Sequence, residues 1–276
     1  MAYVAQAHIT PLDAGVSADQ NQTIDNIAFL YDNLRTEMKR YHAEIPSAAS
    51  GADSDEFDIT TLDAAWTIYG GLSTGTIAEF EAGAVDKYDL ATWPGWIAMQ
   101  SDNDGPTGPV GDFGIRKAFA PGTGPWAVIS RCGIWDCADL AKSQKLGFAV
   151  SDNTTPTNFT YIRLGMTSAG AWEVDFGTQG GAVDNISLGT IGYRAAQYLA
   201  LVRQSAAGST SAWVSADGIV WKRLPTTTAT VTAVSYLWMG VNQDLPTAPA
   251  IRPIYLFDFI RTFPTATLRA GRGGNS

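Results

Sequence analysis

The chain has 276 residues, which is enough for one large domain or two modest ones with a substantial core. Its 45% hydrophobic and 16% charged residues are ordinary for a folded protein and exclude general disorder. The formal net charge of −9 argues against nucleic acid as a partner, because phosphate contacts need a basic surface. No apolar run approaches the roughly 20 residues of a membrane-spanning helix, so no membrane insertion is expected.

Residues 1–16 are predicted to form an extended N-terminal arm. Apolar residues from Tyr3 to Ile9 alternate with more polar ones, and Pro11 closes the run. Such an arm could add a strand to the sheet of a neighbouring protein, or it could lie flat on its own domain. The first residues lack the basic and apolar regions of a secretory signal, so we expect synthesis in a reducing cytosol.

Residues 17–46 carry a heptad pattern that predicts one amphipathic helix. Ser17 and Gln20 match a capping box at its start, and Pro46 ends it. The apolar positions alternate at spacings of three and four and form the predicted docking face: Ile24, Ile27, Tyr31, Leu34, Met38, Tyr41 and Ile45. This pattern favours a homo-oligomer, with a trimer preferred, or docking against a partner shell.

The remaining sequence predicts a mainly β fold. Residues 47–54 read as a small, polar linker, residues 55–264 as one β-sandwich, and residues 265–276 as a flexible tail. Short segments with turn residues between them predict two packed antiparallel sheets. The predicted strands are residues 66–69, 77–81, 96–100, 113–119, 126–133, 146–151, 160–166, 171–176, 198–204, 211–215, 220–224, 235–241 and 254–263.

Three stretches of the β region resemble the concanavalin A-like lectin/glucanase sandwich. Residues 55–66 resemble its opening strand, with Asp-x-Phe followed by Leu-Asp-x-x-Trp. Residues 215–221 resemble a late hairpin in which a tight Asp-Gly turn precedes a Trp-bearing strand. Residues 254–261 resemble the final strand, which returns beside the first. The resemblance implies a jelly-roll fold, and the alternating aromatic residues of the final strand are expected to line one face.

The order of arm, heptad helix and sandwich also resembles bacteriophage virion proteins such as tail fibres, head fibres and decoration proteins. This resemblance implies attachment to other virion proteins through residues 1–46. We therefore predict a virion structural protein, made in the host cytoplasm and displayed on the particle surface, which is not an enzyme. Adhesion to host-surface glycans is a candidate role. A carbohydrate-binding lectin proper is one alternative, and a glycoside hydrolase is another.

One predicted strand carries part of a catalytic motif, which tests the glycoside hydrolase alternative. Sandwich glucanases of the resembled family carry Glu-x-Asp-x-(x)-Glu, in which two carboxylates act as nucleophile and acid/base. Glu173 and Asp175 match its first two positions and would point to one face of a strand. The third carboxylate is missing, because Gly177, Thr178 and Gln179 follow. We therefore predict no catalytic residues and interpret Glu173 and Asp175 as a solvent-facing pair.

Sugars stack on exposed aromatic rings, and three tryptophans lie close to turn-forming residues. Trp93, Trp96 and Trp135 are the candidate glycan-binding residues. The alternative for each is an ordinary place in the core.

A loop rich in aspartate is the candidate metal site. Asp102, Asp104 and Asp112 could supply oxygen ligands to a structural calcium ion. Phe113 stands where an EF-hand needs its closing glutamate, so a plain turn is the alternative. No other cofactor is predicted. Cys132 and Cys137 are both interpreted as thiols on or beside a strand, because a structural zinc site would need four ligands.

Overall fold

A computed structural model of the chain describes residues 53–76, 79–80, 87–92, 95–100, 109–111, 113–135, 144–155, 158–167, 171–178, 184–189, 196–203, 210–228, 231, 233–243 and 253–263. These residues belong to one compact unit, Ser50–Ser276. The predicted arm, the heptad helix with its docking residues, and the tail lie outside the described residues and stay predictions. Within the described part of the chain, no helix is long and apolar enough to cross a membrane.

Antiparallel strands dominate the described residues. They are β1 Thr67–Tyr69, β2 Ser73–Thr74, β3 Lys87–Asp89, β4 Ile97–Gln100, β5 Phe113–Ala118, β6 Trp126–Trp135, β7 Gln144–Ser151, β8 Phe159–Met166, β9 Trp172–Thr178, β10 Asp184–Gly189, β11 Gln197–Arg203, β12 Thr210–Ser215, β13 Lys222–Thr228, β14 Tyr236–Gln243 and β15 Ile254–Phe263. They form a seven-stranded sheet in the order β1-β5-β14-β7-β8-β9-β10 and an eight-stranded sheet in the order β13-β12-β11-β6-β15-β4-β3-β2. The prediction of a mainly β sandwich is confirmed.

The hydrophobic core lies between the two sheets and follows the two-residue period of the strands. On β6, Trp126, Val128 and Ile134 point inward and are buried. Phe148 of β7 and Ile162 of β8 supply the same core from the seven-stranded sheet. Each such side chain stabilises the fold by about 1.5–3 kcal/mol through burial. The alternate residues of the same strands form the outer faces, which carry Arg131 on β6 and Arg163 on β8.

The predicted strand at residues 77–81 is wrong where it can be checked, because residues 79–80 are helical. The reason is a capping box. The backbone N–H of Thr76 donates to Glu79 Oε2 at 2.8 Å, and the backbone N–H of Glu79 donates to Thr76 Oγ1 at 3.4 Å. The other predicted strands overlap strands of the structure, while β2, β3 and β10 were not predicted.

A β-bulge in β15 overturns the expectation that Tyr255, Phe257 and Phe259 share one face. Phe257 lies opposite Cys132 on β6, whereas Phe259 lies opposite Arg131, so Asp258 is an extra residue. Tyr255 and Phe257 belong to the main core, but Phe259 lies beside Arg131 on the outer face. Alternation in the sequence cannot reveal such an insertion.

The resemblance of residues 55–66 to an opening strand holds in part. Asp55 forms an isolated antiparallel bridge with Ile260 of β15, so the final strand does return beside this segment. The carboxylate of Asp55 accepts hydrogen bonds from the backbone N–H of Phe57 at 2.9 Å and from Trp66 Nε1 at 2.6 Å. Phe57 has a φ of +50°, which interrupts extended pairing at this point.

Lys117 of β5 is a buried cation at the core side of the sheet. Its ammonium lies 4.5 Å from the centroid of the Trp66 ring, and burial lowers the pKa of Lys117. We expect Lys117→Met to raise the free energy of unfolding at pH 7 by about 1 kcal/mol, because methionine retains the apolar stem and removes the desolvation of the charge. Urea denaturation measures the change.

The pH dependence of the same variant provides a second readout. Because the pKa of Lys117 is lowered on folding, the unfolded chain binds more protons as pH approaches the ordinary lysine value. The free energy of unfolding of the wild type should therefore rise with pH between the lowered pKa of folded Lys117 and the ordinary lysine pKa. This rise should vanish in Lys117→Met. Lys222→Met removes an exposed lysine and is the matched control. A less stable Lys117→Met protein would contradict the prediction.

Candidate functional site

The strand β9 places Glu173 and Asp175 on the outer face of the seven-stranded sheet, as their spacing predicts. Val174 and Phe176 between and beside them point into the core. Across the sheet, Arg163 of β8 lies directly opposite Asp175. Lys145 of β7 approaches both carboxylates. The four side chains form one charge cluster on three neighbouring strands.

Short hydrogen bonds connect the members of this charge cluster. Lys145 Nζ donates to Glu173 Oε1 at 2.6 Å and to Asp175 Oδ2 at 2.9 Å. Arg163 holds Asp175 with two nitrogens, Nη2 at 2.8 Å from Oδ2 and Nε at 3.2 Å from Oδ1. A third nitrogen, Nη1, donates to the carbonyl oxygen of Val110 at 3.3 Å. The cluster therefore contains two positive and two negative side chains.

The interpretation of Glu173 and Asp175 as a solvent-facing pair is wrong. Asp175 is 1% exposed and the Glu173 side chain 12% exposed. Their environment explains the difference, because buried carboxylates require cationic or hydrogen-bonding partners, and β7 and β8 supply both. In this arrangement Asp175 engages both cations, and neither carboxylate is presented openly to a sugar.

Aromatic side chains cover the neighbouring part of the same face. Tyr69, Tyr161 and Trp238 pack with Val110 and are buried. The Arg163 guanidinium lies 4.2 Å from the centroid of the Tyr161 ring. Burial raises the pKa of Tyr161, and the nearby carboxylate of Asp175 acts in the same direction. This face is therefore a packed layer within the described residues rather than an open surface.

The outer face of the eight-stranded sheet is different, because three of its aromatic rings, Trp96, Tyr198 and Trp221, are half-buried. Tyr198 of β11 meets Trp221 at 6.4 Å between ring centroids, in an edge-to-face arrangement. The Arg131 guanidinium lies 5.6 Å from the Tyr198 ring and 5.3 Å from the Trp96 ring. We call Trp221, Tyr198, Arg131 and Trp96, which follow one another across the sheet, the aromatic strip.

Strand register assembles the aromatic strip. Arg131 of β6 lies opposite Tyr198 of β11 on one side and Phe259 of β15 on the other. The bulge at Asp258 lets its carboxylate accept a hydrogen bond from Arg131 Nη1 at 3.1 Å. Burial raises the pKa of Asp258, while this hydrogen bond acts in the opposite direction. The ion pair holds the Arg131 guanidinium between two rings.

The Asp-Gly turn before β13 fixes the end of the strip. The carboxylate of Asp217 accepts hydrogen bonds from the backbone N–H groups of Ile219 and Val220 at 2.8 and 2.9 Å. Trp221 Nε1 donates to the carbonyl oxygen of Gly218 at 3.0 Å, which orients the ring. Gly218 has a φ of +75°, a backbone conformation that glycine adopts without strain. The turn predicted from the sequence therefore positions Trp221.

Two of the three predicted glycan residues lie on this outer face. Trp96 belongs to the aromatic strip, and Trp135 of β6 is 55% exposed on the same face as Arg131. Trp93 and the three aspartates of the predicted calcium loop lie outside the described residues. Among the described residues, no cluster of His, Cys, Asp or Glu could hold a metal ion. Glycan binding by these tryptophans and a calcium site stay predictions.

The sequence did not single out Arg131, Tyr198 or Trp221. A signal was present: Arg131 is the one charged residue in the otherwise apolar and small sequence of β6. An arginine in such a strand has to point outward or find a partner. Cys132, its neighbour, points inward instead, is buried, and lies on a strand as predicted. Burial raises the pKa of the Cys132 thiol, which disfavours the nucleophilic thiolate form.

No protein-family model and no curated protein matches the sequence. Solved structures show the fold. A bifunctional GH43-CE protein of Bacteroides eggerthii has a TM-score of 0.53 at 9% identity. The match covers 78% of this chain and 26% of that protein, so this chain spans about a quarter of its length. The CBM2 module of the evolved Dit of Lactobacillus casei BL23 phage J-1 has a TM-score of 0.50 at 11% identity, covering 76% and 93%.

A third neighbour is described as an immunostimulatory antigen and pseudo beta-1,3-glucanase of Mycobacterium tuberculosis. Its TM-score is 0.50 at 11% identity, and the match covers 78% of this chain and 99% of that one. Together these structures support the predicted concanavalin A-like jelly-roll fold. At such identities they show the fold alone.

The prediction that the protein is not an enzyme is contradicted at the level of the fold, because proteins with this fold include the GH43-CE protein and a neighbour described among endo-acting O-glycanases of the human gut microbiota, which has a TM-score of 0.50 at 9% identity. The prediction rested on one missing carboxylate after Asp175. That absence excludes a single arrangement of catalytic residues on one strand. A fold shared with glycoside hydrolases offers other strands and loops for carboxylates, so one missing carboxylate after Asp175 does not exclude catalysis.

Proposed function

We propose that the protein binds glycans and that the aromatic strip is its binding surface. The observation that carries the proposal is the row of half-buried rings and one guanidinium, Trp221, Tyr198, Arg131 and Trp96, across the outer face of the eight-stranded sheet. Aromatic faces offer apolar contact to the C–H groups of a sugar ring. The guanidinium of Arg131 can donate hydrogen bonds to sugar hydroxyl groups, and the carboxylate of Asp258 can accept hydrogen bonds from them.

The fold neighbours favour the same class of ligand. They include a phage CBM2 module and glycoside hydrolase family proteins. Trp135 is 55% exposed on the same face and extends the available aromatic surface. The packed layer on the opposite sheet, with Asp175 buried beneath cations, offers less open aromatic surface. We therefore place the glycan on the eight-stranded sheet.

Affinity electrophoresis through gels containing xylan, laminarin, hydroxyethyl cellulose, galactomannan, polygalacturonate or mucin tests the proposal. We expect at least one polymer to retard the protein. Trp96→Ala and Trp221→Ala should each weaken that interaction about tenfold or more, because a stacked aromatic ring that anchors a ligand contributes more than 1 kcal/mol.

Phe159→Ala is the matched control, because Phe159 is a half-buried ring on the other sheet. It should leave retardation nearly unchanged. Loss of binding in the control but not in the Trp variants would move the site to the seven-stranded sheet. Release of reducing ends from the bound polymer, measured in the same samples with and without Glu173→Gln, reports any hydrolysis that depends on the charge cluster.

The setting that fits this function best is a bacteriophage virion, as a head decoration protein, head fibre or tail fibre. In this proposal residues 1–46 attach to other virion proteins, and the heptad face of residues 17–46 forms an oligomer, with a trimer favoured. The phage neighbour supports the setting. Light scattering of the full chain and of residues 47–276 tests the attachment: we expect an oligomer and a monomer, respectively. A full-length monomer would contradict it.

A further inference from the structure

The aromatic strip continues at the β13 edge into an exposed cation. Trp221 and Arg223 are separated by one residue and therefore share the outer face. Register places Arg223 opposite Trp213 of β12, and the guanidinium lies 5.9 Å from the centroid of the Trp213 ring. Trp213 Nε1 donates to Ser211 Oγ at 3.1 Å, which fixes the ring beneath the cation. Arg223 is thus flanked by Trp221, which immediately precedes β13, and by Trp213 of the neighbouring strand β12.

Arg223 differs from the other arginines of this face in its charge environment. Arg131 is paired with Asp258, and Arg261 with Glu56 through two contacts of 2.6 Å. No carboxylate among the described residues forms an ion pair with Arg223. The side chain is exposed. The strip therefore combines a neutralised centre with a positive end.

The extent of the strip bears on the shape of the ligand. From β13 to β4 the sheet crosses five strand spacings, or roughly 24 Å at about 4.8 Å each. A surface of this length suits a chain of several sugars better than a single terminal sugar. Binding along a chain also lets rings and cation contact different units of the same polymer.

We infer that the aromatic strip binds an extended acidic polysaccharide, whose sugar rings lie on Trp221, Tyr198 and Trp96 and whose anionic group pairs with Arg223. This inference rests on the proposed glycan-binding function. A guanidinium pairs with a carboxylate or a sulfate through two parallel hydrogen bonds. The net charge of −9 opposes unspecific adsorption of polyanions. A preference for acidic chains therefore has to come from local pairing, which a single substitution can remove.

Two matched pairs of polymers test the inference: polygalacturonate against its carboxyl-reduced form, and dextran sulfate against dextran. They separate a carboxylate from a sulfate as the source of the anionic group. In affinity electrophoresis at low salt we expect the anionic member of at least one pair to bind about tenfold more tightly, as one charge-assisted bidentate contact provides. Arg223→Gln should reduce this ratio to about one.

Arg116→Gln removes an arginine from the other sheet and should leave the ratio unchanged. Trp96→Ala should weaken both members of a pair and preserve their ratio. Equal binding of both members of both pairs, no binding of any of them, or an unchanged ratio in Arg223→Gln would each overturn the inference. If laminarin, hydroxyethyl cellulose or galactomannan still retards the protein in that case, the proposed glycan-binding function is retained and only the preference for acidic chains is rejected.

Discussion

Replacing Arg163 with methionine should lower the free energy of unfolding by about 3–5 kcal/mol, the range measured when one partner of a buried ion pair is removed. Asp175 is 1% exposed and accepts two hydrogen bonds from this guanidinium. After the substitution, Lys145 is the one cation among the described residues that still pairs with the buried carboxylate, and it also donates to Glu173. Urea denaturation followed by tryptophan fluorescence measures the loss.

Two further variants separate the charge effect from the loss of packing. Arg116→Met removes a half-exposed arginine that donates to the carbonyl oxygen of Thr154 and lies over Trp238, and should change stability by less than about 1 kcal/mol. The double variant Arg163→Met, Asp175→Asn removes the unpaired charge as well and should recover part of the loss. Equal stability of Arg163→Met and the wild type would mean that solvent reaches Asp175.

The fold was predictable because its main signal is local. On β6, the inward positions are Trp126, Val128, Ser130, Cys132 and Ile134, and four of these five join the core, which marks both a strand and its buried face. The limits arise where one residue changes the register. Asp258 produces a bulge that moves Phe259 to the outer face, and the alternation of apolar and polar residues in β15 does not predict this bulge. Edge strands such as β2, with two residues, carry too little pattern to detect.

The candidate site was predictable only in part, because it is assembled by pairing between distant segments. Trp96 and Trp135 could be selected from the sequence as tryptophans near turns. Their relation to Tyr198 and Trp221 depends on strand order, which the sequence does not contain. The same applies to Asp175: its spacing from Glu173 predicts a shared face, but its burial depends on Lys145 and Arg163 from β7 and β8.

Adding a methyl group at Gly147 should lower the free energy of unfolding nearly as much as replacing Arg163. Gly147 of β7 lies opposite Arg163 of β8, and a Cβ there would approach the carbonyl oxygen of Ile162 to 2.0 Å and the Cα of Arg163 to 2.7 Å. Both are backbone atoms, so relief requires β7 and β8 to separate. We expect Gly147→Ala to lower the free energy of unfolding by about 3 kcal/mol, the upper range for overpacking.

Gly124→Ala is the matched control, because a Cβ at Gly124 meets no atom within 4 Å. It should leave stability unchanged or raise it slightly by restricting the unfolded chain. The pair also tests where the glycan binds. Gly147 lies in the seven-stranded sheet, so a Gly147→Ala protein kept well below its unfolding temperature should retain its affinity for the polymer that retards the wild type. Loss of affinity in this folded variant would place the binding surface on the seven-stranded sheet and contradict the assignment to the aromatic strip.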